Sequence, residues 1–313
     1  MSEASPASPR LNPALVLCVG VLAVSSGSIF VRLSDAPPLV TAMWRMTFAT
    51  LFLLPFAWWH ARDELRRLSA HEIRVGAFAG VFLAAHFATW IASLDYTSVA
   101  NSTVLVNTAP LWVAILSPWL AHERLSRRGW TGIGLSVVGG GIIGAGDIVG
   151  GTRALIGDAL ALAGSIALAL YLLSGRRLRA KLTLPAYLTV CYSSATITLW
   201  ICVLATGTPL AAFSPSTWGA LLGMALISQH LGHSSNNWAM RYFSAGFIAV
   251  CLLGEPVCSS LLAWWMFGEA VTWLKAAGGL LILFSIYLVN TSQSISRPAA
   301  PFNAADRLPS EQL

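Results

Sequence analysis

Residues 96–132, YTSVANSTVLVNTAPLWVAILSPWLAHERLSRRGWTG, and residues 242–278, YFSAGFIAVCLLGEPVCSSLLAWWMFGEAVTWLKAAG, superpose without a gap at a constant offset of 146. Tyr96 meets Tyr242, Ser98 meets Ser244, Pro110 meets Pro256, Glu123 meets Glu269 and Gly132 meets Gly278. Each copy reads as an apolar helix with a proline near its middle, a glutamate thirteen residues later, and a second, glycine-rich apolar helix. Working outward, apolar runs occupy 13–33, 37–59, 73–94, 98–120, 130–147, 155–174, 184–205, 217–239, 244–267 and 271–290. Each approaches the roughly 20 residues that cross about 30 Å of hydrocarbon. Five runs per copy is an odd number, so the second copy enters the membrane upside down. The expected fold is all-α and integral to the membrane, with ten transmembrane helices in two inverted five-helix repeats, 13–147 and 155–290. Secondary transporters are built this way, with a site near the midplane where the repeats meet.

Composition agrees. With 56% apolar residues, 10% charged ones and a mean hydropathy of +0.69, the chain carries more hydrocarbon than a water-soluble globule can bury. Backbone in lipid must satisfy its own hydrogen bonds, which selects helices or closed barrels, and the period-2 alternation of a barrel is missing. The net charge of +6 is explained by position rather than by a nucleic-acid partner. Arg62, Arg66, Arg67, Arg74, Arg124, Arg127, Arg128, Arg176, Arg177, Arg179, Lys181 and Arg241 fall in loops on one side, joined by Arg10, Arg297 and Arg307 in the tails. Only Arg32, Arg153 and Lys275 fall on the other, and Arg45 alone lies deep inside a run rather than near its end. The positive-inside rule then places both termini in the cytoplasm.

The first apolar run is too long for the core of a signal peptide and is read as the first helix. Five cysteines (Cys18, Cys191, Cys202, Cys251, Cys258) lie inside runs without ligand spacing and read as small core residues. The tails, 1–12 and 294–313, are rich in Ser, Pro and Ala and are expected to be disordered. Close helix approach is expected at the small-residue pairs Gly76/Gly80, Gly140/Gly144 and Gly219/Gly223, and at Gly278–Gly279. Matching Gly76 and Gly80 to Gly219 and Gly223 requires an offset of 143. The eighth run thus carries about three extra residues, close to one helical turn, and a bulge or kink is expected there.

Ionisable groups within a membrane are costly and mark function by default. Arg45 in the second run and Glu255 beside Pro256 in the ninth form either a gate made and broken during a transport cycle or a permanent pair pinning two helices. His86 and Trp90, four apart, share a face and suit a substrate wall; a packing histidine bonded to a carbonyl is the alternative. His230, His233 and Asn237, with Ser234 and Asn236, form a polar stripe expected to face the bundle interior or a water path. Two histidines alone fall short of the roughly four ligands of a closed zinc site, so no metal and no cofactor are implied. Asn101 and Asn107 in the fourth run and Tyr171 in the sixth suit either ligand contact or helix ties. Pro110 and Pro256 free backbone carbonyls and suit hinges; Glu123 and Glu269 suit caps. No nucleophile elbow, zincin motif or phosphate loop is present in the sequence.

These residues resemble the drug/metabolite transporter superfamily, of the kind with two EamA domains. The resemblance covers roughly 13–290. It rests on Ser26-Gly27-Ser28-Ile29-Phe30, on Arg45, on Tyr96-Thr97-Ser98-Val99-Ala100, on Pro110 through Glu123-Arg124-Leu125, and on Glu255-Pro256-Val257 followed by Gly268-Glu269. It implies ten helices, a bacterial inner membrane, export, and a central cavity lined by spans one to four and six to nine. Ser26 and Leu168 stand where the family often carries Trp, which implies a roomier, less aromatic pocket. The expected function is a secondary active or facilitative exporter of a small neutral, zwitterionic or cationic metabolite or drug by alternating access. Proton coupling through His86, His230, His233 or Glu255 and facilitated diffusion fit equally. A nucleotide-sugar or sugar-phosphate transporter would need more cavity cations than Arg45; a membrane enzyme or scaffold would lack the cavity.

Overall fold

The computed structural model describes residues 11–96, 102, 105–120, 126–144, 152–210, 212–268 and 273–292, and among these every regular element is a helix. Asn101, Glu123, Glu269 and most of both tails lie outside the described residues. The first apolar run forms α1 (Pro13–Ser25) and α2 (Gly27–Arg32), with Asn12 accepting from the Ala14 N–H at 2.9 Å as the N-cap. α3 (Pro38–Arg66) starts on proline, whose missing N–H costs nothing in a first turn. α4 (Ala70–Ser93) opens on a reciprocal capping box between Ser69 and Glu72. Then follow α5 (Ala109–Leu120), α6 (Arg127–Gly144), α7 (Thr152–Arg179) and α8 (Leu184–Thr206).

The eighth run is the irregular one. α9 (Pro215–Gly223) passes into a ten-residue π-helix, Met224–His233, and out again as α10 (Ser234–Ala239). The extra residues inferred from the offset are absorbed here, because an i→i+5 ladder takes up added chain without leaving the helix. The ninth run is split at Leu253 into α11 (Ala245–Leu252) and α12 (Gly254–Phe267), and α13 (Trp273–Ser292) completes the order. Among the described residues, six stretches are long and apolar enough to cross a bilayer: Pro13–Arg32, Pro38–Arg66, Ala70–Ser93, Leu155–Arg179, Leu184–Thr206 and Ala245–Phe267. Large apolar side chains such as Leu51, Phe52, Phe56, Trp59 and Trp265 are exposed on the outer surface, as lipid permits and water does not.

α4 packs along α7 and α8, α3 along α8, α6 along α13, and α1 along the π-helix. Trp200 Nε1 donates to Thr47 Oγ1 at 3.0 Å, the Thr50 and Thr196 hydroxyls are 2.8 Å apart, and the Thr183 N–H donates to the Glu64 carboxylate at 2.9 Å. Partner numbers fall from 200 to 183 as those of α3 rise from 47 to 64, so α3 and α8 run antiparallel. At the other end of the bundle, Asp35 Oδ1 accepts from Thr217 Oγ1 at 2.6 Å, and Thr217 Oγ1 accepts from the Asp35 N–H at 2.9 Å.

Of the expected small-residue contacts, Gly80 is the closest: a Cβ there would stand 2.2 Å from the Cys191 carbonyl oxygen, so α4 and α8 meet backbone to backbone. Gly76 lies against Val190 and Gly223 against the Phe30 ring, whereas Gly219 faces open space. The last contradicts a packing role for Gly219, which sits on the exposed side of α9.

Candidate functional site: a polar cavity between the helices

A cavity is lined by Val24, Arg45, His86, Phe87, Trp90, Val106, Asn107, Leu168, His233, Leu252 and Glu255. It is narrow in this conformation, with about 20 Å³ open to the centre of a water molecule, enough for one water. Residues that lie far apart in the chain meet here, and both full charges read from the sequence are among them.

Arg45 is 1% exposed. Its Nε donates to Gln229 Oε1 at 3.0 Å, and its guanidinium carbon stands 3.9 Å from the centre of the Phe87 ring, a cation–π distance. Nη2 has no partner. Glu255 sits in the first turn of α12, where a helix N-terminus favours negative charge. The two line the same space but are not in ion-pair contact; Gln229, not Glu255, holds Arg45.

α4 supplies the opposite wall. His86 Nδ1 is 3.0 Å from the Gly164 carbonyl. A carbonyl only accepts, so Nδ1 carries a proton and donates it here. The ring lies parallel to that of Trp90, within 5° and with centroids 6.2 Å apart. Trp90 is buried, yet its Nε1 has no acceptor. His86 thus both ties α4 to α7 and lines the cavity. His233, at the end of the π-helix, presents its ring edge-on to Phe87, 5.3 Å between centroids.

Other candidates are placed elsewhere. His230 donates from Nε2 to the Ala49 carbonyl at 2.9 Å and is not among the lining residues. A π-helical turn is wider than an α-helical one, so residues three apart no longer share the face that the α-period assigns them. Asn237 donates from Nδ2 to the Tyr171 hydroxyl and to the His233 carbonyl; both Asn237 and Tyr171 are buried behind the cavity wall. Pro110 and Pro256 occupy the first turns of α5 and α12, just after the chain leaves helical form at 107–108 and at Leu253. Leu168 lines the cavity, while Ser26 does not. Its hydroxyl donates to the Ala23 carbonyl at 2.6 Å and accepts from Ser228 at 2.9 Å.

Gln229 and Phe87 were not singled out from the sequence. Gln229 carried a signal: adding the 143 offset to His86 and Trp90 gives Gln229 and His233. Equivalent positions of the third and eighth runs thus both serve the cavity.

The model of a family described as the EamA-like transporter family matches residues 11–144 and again 155–291. An uncharacterized transporter of Archaeoglobus fulgidus is 25% identical over 295 residues, covering 89% of this chain and 97% of the relative. An uncharacterized transporter of Bacillus subtilis is 23% identical over 257 residues, 80% of this chain and 83% of the relative. A solved structure titled only as the crystal structure of a protein superposes with a TM-score of 0.75 at 17% identity, covering 90% of this chain and 99% of the other. That likeness is one of fold.

Proposed function

We propose that this chain, which belongs to the EamA-like transporter family, carries a small metabolite or drug out across the bacterial inner membrane by alternating access. The cargo is neutral, zwitterionic or cationic. The observation that carries the reading is a cavity lined by one buried arginine, its Nη2 unpartnered, and one glutamate that is not in ion-pair contact with it. Buried charge without a partner is costly, and a passing ligand supplies the missing contacts. Among the described residues the lining holds a single Arg and no Lys, which disfavours a nucleotide-sugar or sugar-phosphate cargo that would recruit several cations.

The architecture in this reading is ten spans in two inverted sets of five, with both termini cytoplasmic. Two observations support it. The family model matches twice, and α3 and α8, whose first residues Pro38 and Leu184 are 146 apart, run antiparallel. Arg45, His86, Trp90, His233 and Glu255 contact the ligand, while Tyr171, Asn237 and His230 hold the eighth span. Pro110 and Pro256 mark hinges at the interrupted fourth and ninth spans, where freed carbonyls lower the cost of bending.

The test is access. Leu168→Cys in a cysteine-free background, reconstituted in one orientation, should react with a membrane-impermeant thiol reagent supplied from either side of the bilayer. Protection from both sides would remove the transport reading.

A further inference from the structure

Three buried donors near Arg45 lack acceptors: Arg45 Nη2, Trp90 Nε1 and Gln229 Nε2. Arg45 is 1% exposed, Trp90 6% and Gln229 0%. An unmet donor in a low-dielectric interior costs much of its hydration, so its acceptor is to be sought in something the protein binds. The direction of the deficit is informative. Around Arg45 the unmet groups are N–H donors, and the lining carboxylate is on another element, α12. Phe87 beneath the guanidinium and the engaged Nε restrict Arg45 to one orientation. Of the other lining residues, Val24, Val106, Leu168 and Leu252 are aliphatic, and His86, Asn107 and His233 are polar.

We propose that this cavity is a carboxylate-binding site in which Arg45 Nη2 and Trp90 Nε1 hold the ligand's two carboxylate oxygens, and Gln229 positions Arg45 through its Nε. A planar carboxylate matches a guanidinium edge. A phosphate would bring more charge than one arginine offsets. Glu255 repels a second anionic group, so the far end of the ligand is apolar or carries an ammonium. The assignment rests on the transport reading. With an ammonium at the far end it narrows the cargo to a zwitterion, and with an apolar far end it replaces the charge class given above by a monoanion. A simple organic cation has nothing to give the three donors. The contracted cavity admits one water here, and cargo enters once Leu168 and its neighbours part.

The experiment compares four probes of like length on the purified full chain in detergent, by thermal unfolding: hexanoate, 6-aminohexanoate, hexanamide and hexylammonium. Hexanoate, 6-aminohexanoate or both should raise the melting temperature saturably by a few degrees, with no rise from the amide or the amine. Protection by hexanoate identifies an apolar far end; protection by 6-aminohexanoate alone identifies an ammonium at Glu255. Arg45→Gln should weaken the protecting carboxylate about tenfold or more, and Trp90→Phe, which keeps the ring and removes the N–H, about threefold or more. Trp44→Phe makes the same change at a partly buried indole whose buried Nε1 is also unpartnered but which is not in the cavity lining, and should leave binding unchanged. If Arg45→Gln fails to fold, Trp90→Phe against Trp44→Phe still decides. Equal protection by hexanamide or hexylammonium overturns the carboxylate assignment while leaving the access test untouched. So does carboxylate protection that survives the Trp90 change, and so does a lack of protection by either carboxylate at millimolar concentration.

Discussion

The hydroxyls of Thr50 and Thr196, residues 146 apart, lie 2.8 Å from each other. Under a two-fold relation, equivalent residues can touch only where the axis passes, so this pair marks the place where an axis between α3 and α8 would run. The proton count is also fixed. Thr196 spends its hydrogen on the Met46 carbonyl at 3.0 Å, which makes Thr50 the donor between them. Thr50→Val and Thr196→Val should therefore be non-additive, with a coupling of about 0.5–1.5 kcal/mol, read from a double-mutant cycle of unfolding. Additive losses would mean that the hydroxyls act independently.

Sidedness follows from the antiparallel pair. Glu64 near the end of α3 accepts from Thr183 at the start of α8, so the segments after Arg67 and after Arg179 lie at one end of the bundle. Reporters fused after those two residues should both read cytoplasmic, and one after Thr206 should read periplasmic. Disagreement between the first two would contradict the helix pairing itself.

Asp35 should give the protein an acid-sensitive tie. Its carboxylate is held below its ordinary value of 3.8, chiefly by the hydrogen bond from Thr217. A carboxylate whose folded pKa is depressed adds stability above its unfolded pKa and loses it as pH falls through the folded one. The tie between 35 and 217 should hold at neutral pH and loosen only below about 3.8. Asp35→Asn keeps an acceptor without the charge, so it should lack this acid limb in melting temperature against pH. An unchanged acid limb would clear Asp35 of the effect.

Glycines separate by what surrounds them. Gly80→Ala drives a methyl into the Cys191 carbonyl and should destabilise by about 1–3 kcal/mol. Gly219→Ala meets nothing within 4 Å and should be neutral or stabilise by up to about 1 kcal/mol through helix propensity. Equal effects in an unfolding assay would show that the α4–α8 contact is looser than described.

The charges of the cavity were legible because a charge in an apolar run has few bland explanations, which is how Arg45 and Glu255 stood out. The partner of Arg45 was not, since a glutamine among serines and histidines carries no such contrast. His230 illustrates the other loss. Its face was assigned with an α-helical period, and the π-helix around it changes that period without any composition that announces it. The helix breaks divide similarly: prolines 110 and 256 signalled theirs, while the interruption at Ser26 rests on a serine tied to Ser228 across the bundle.

The backbone contact at Gly80 bears on what can move. α4 comes from the first repeat and α8 from the second, and with no side chain between them they are riveted across the seam of the duplication. A motion that parted the two copies cleanly would have to tear this contact. Swinging α1 and the interrupted ninth span against the α3–α4–α7–α8 block would leave it whole. The mechanical units of the protein then differ from its inherited ones: duplication made two like pieces, and packing has welded part of each into a common frame.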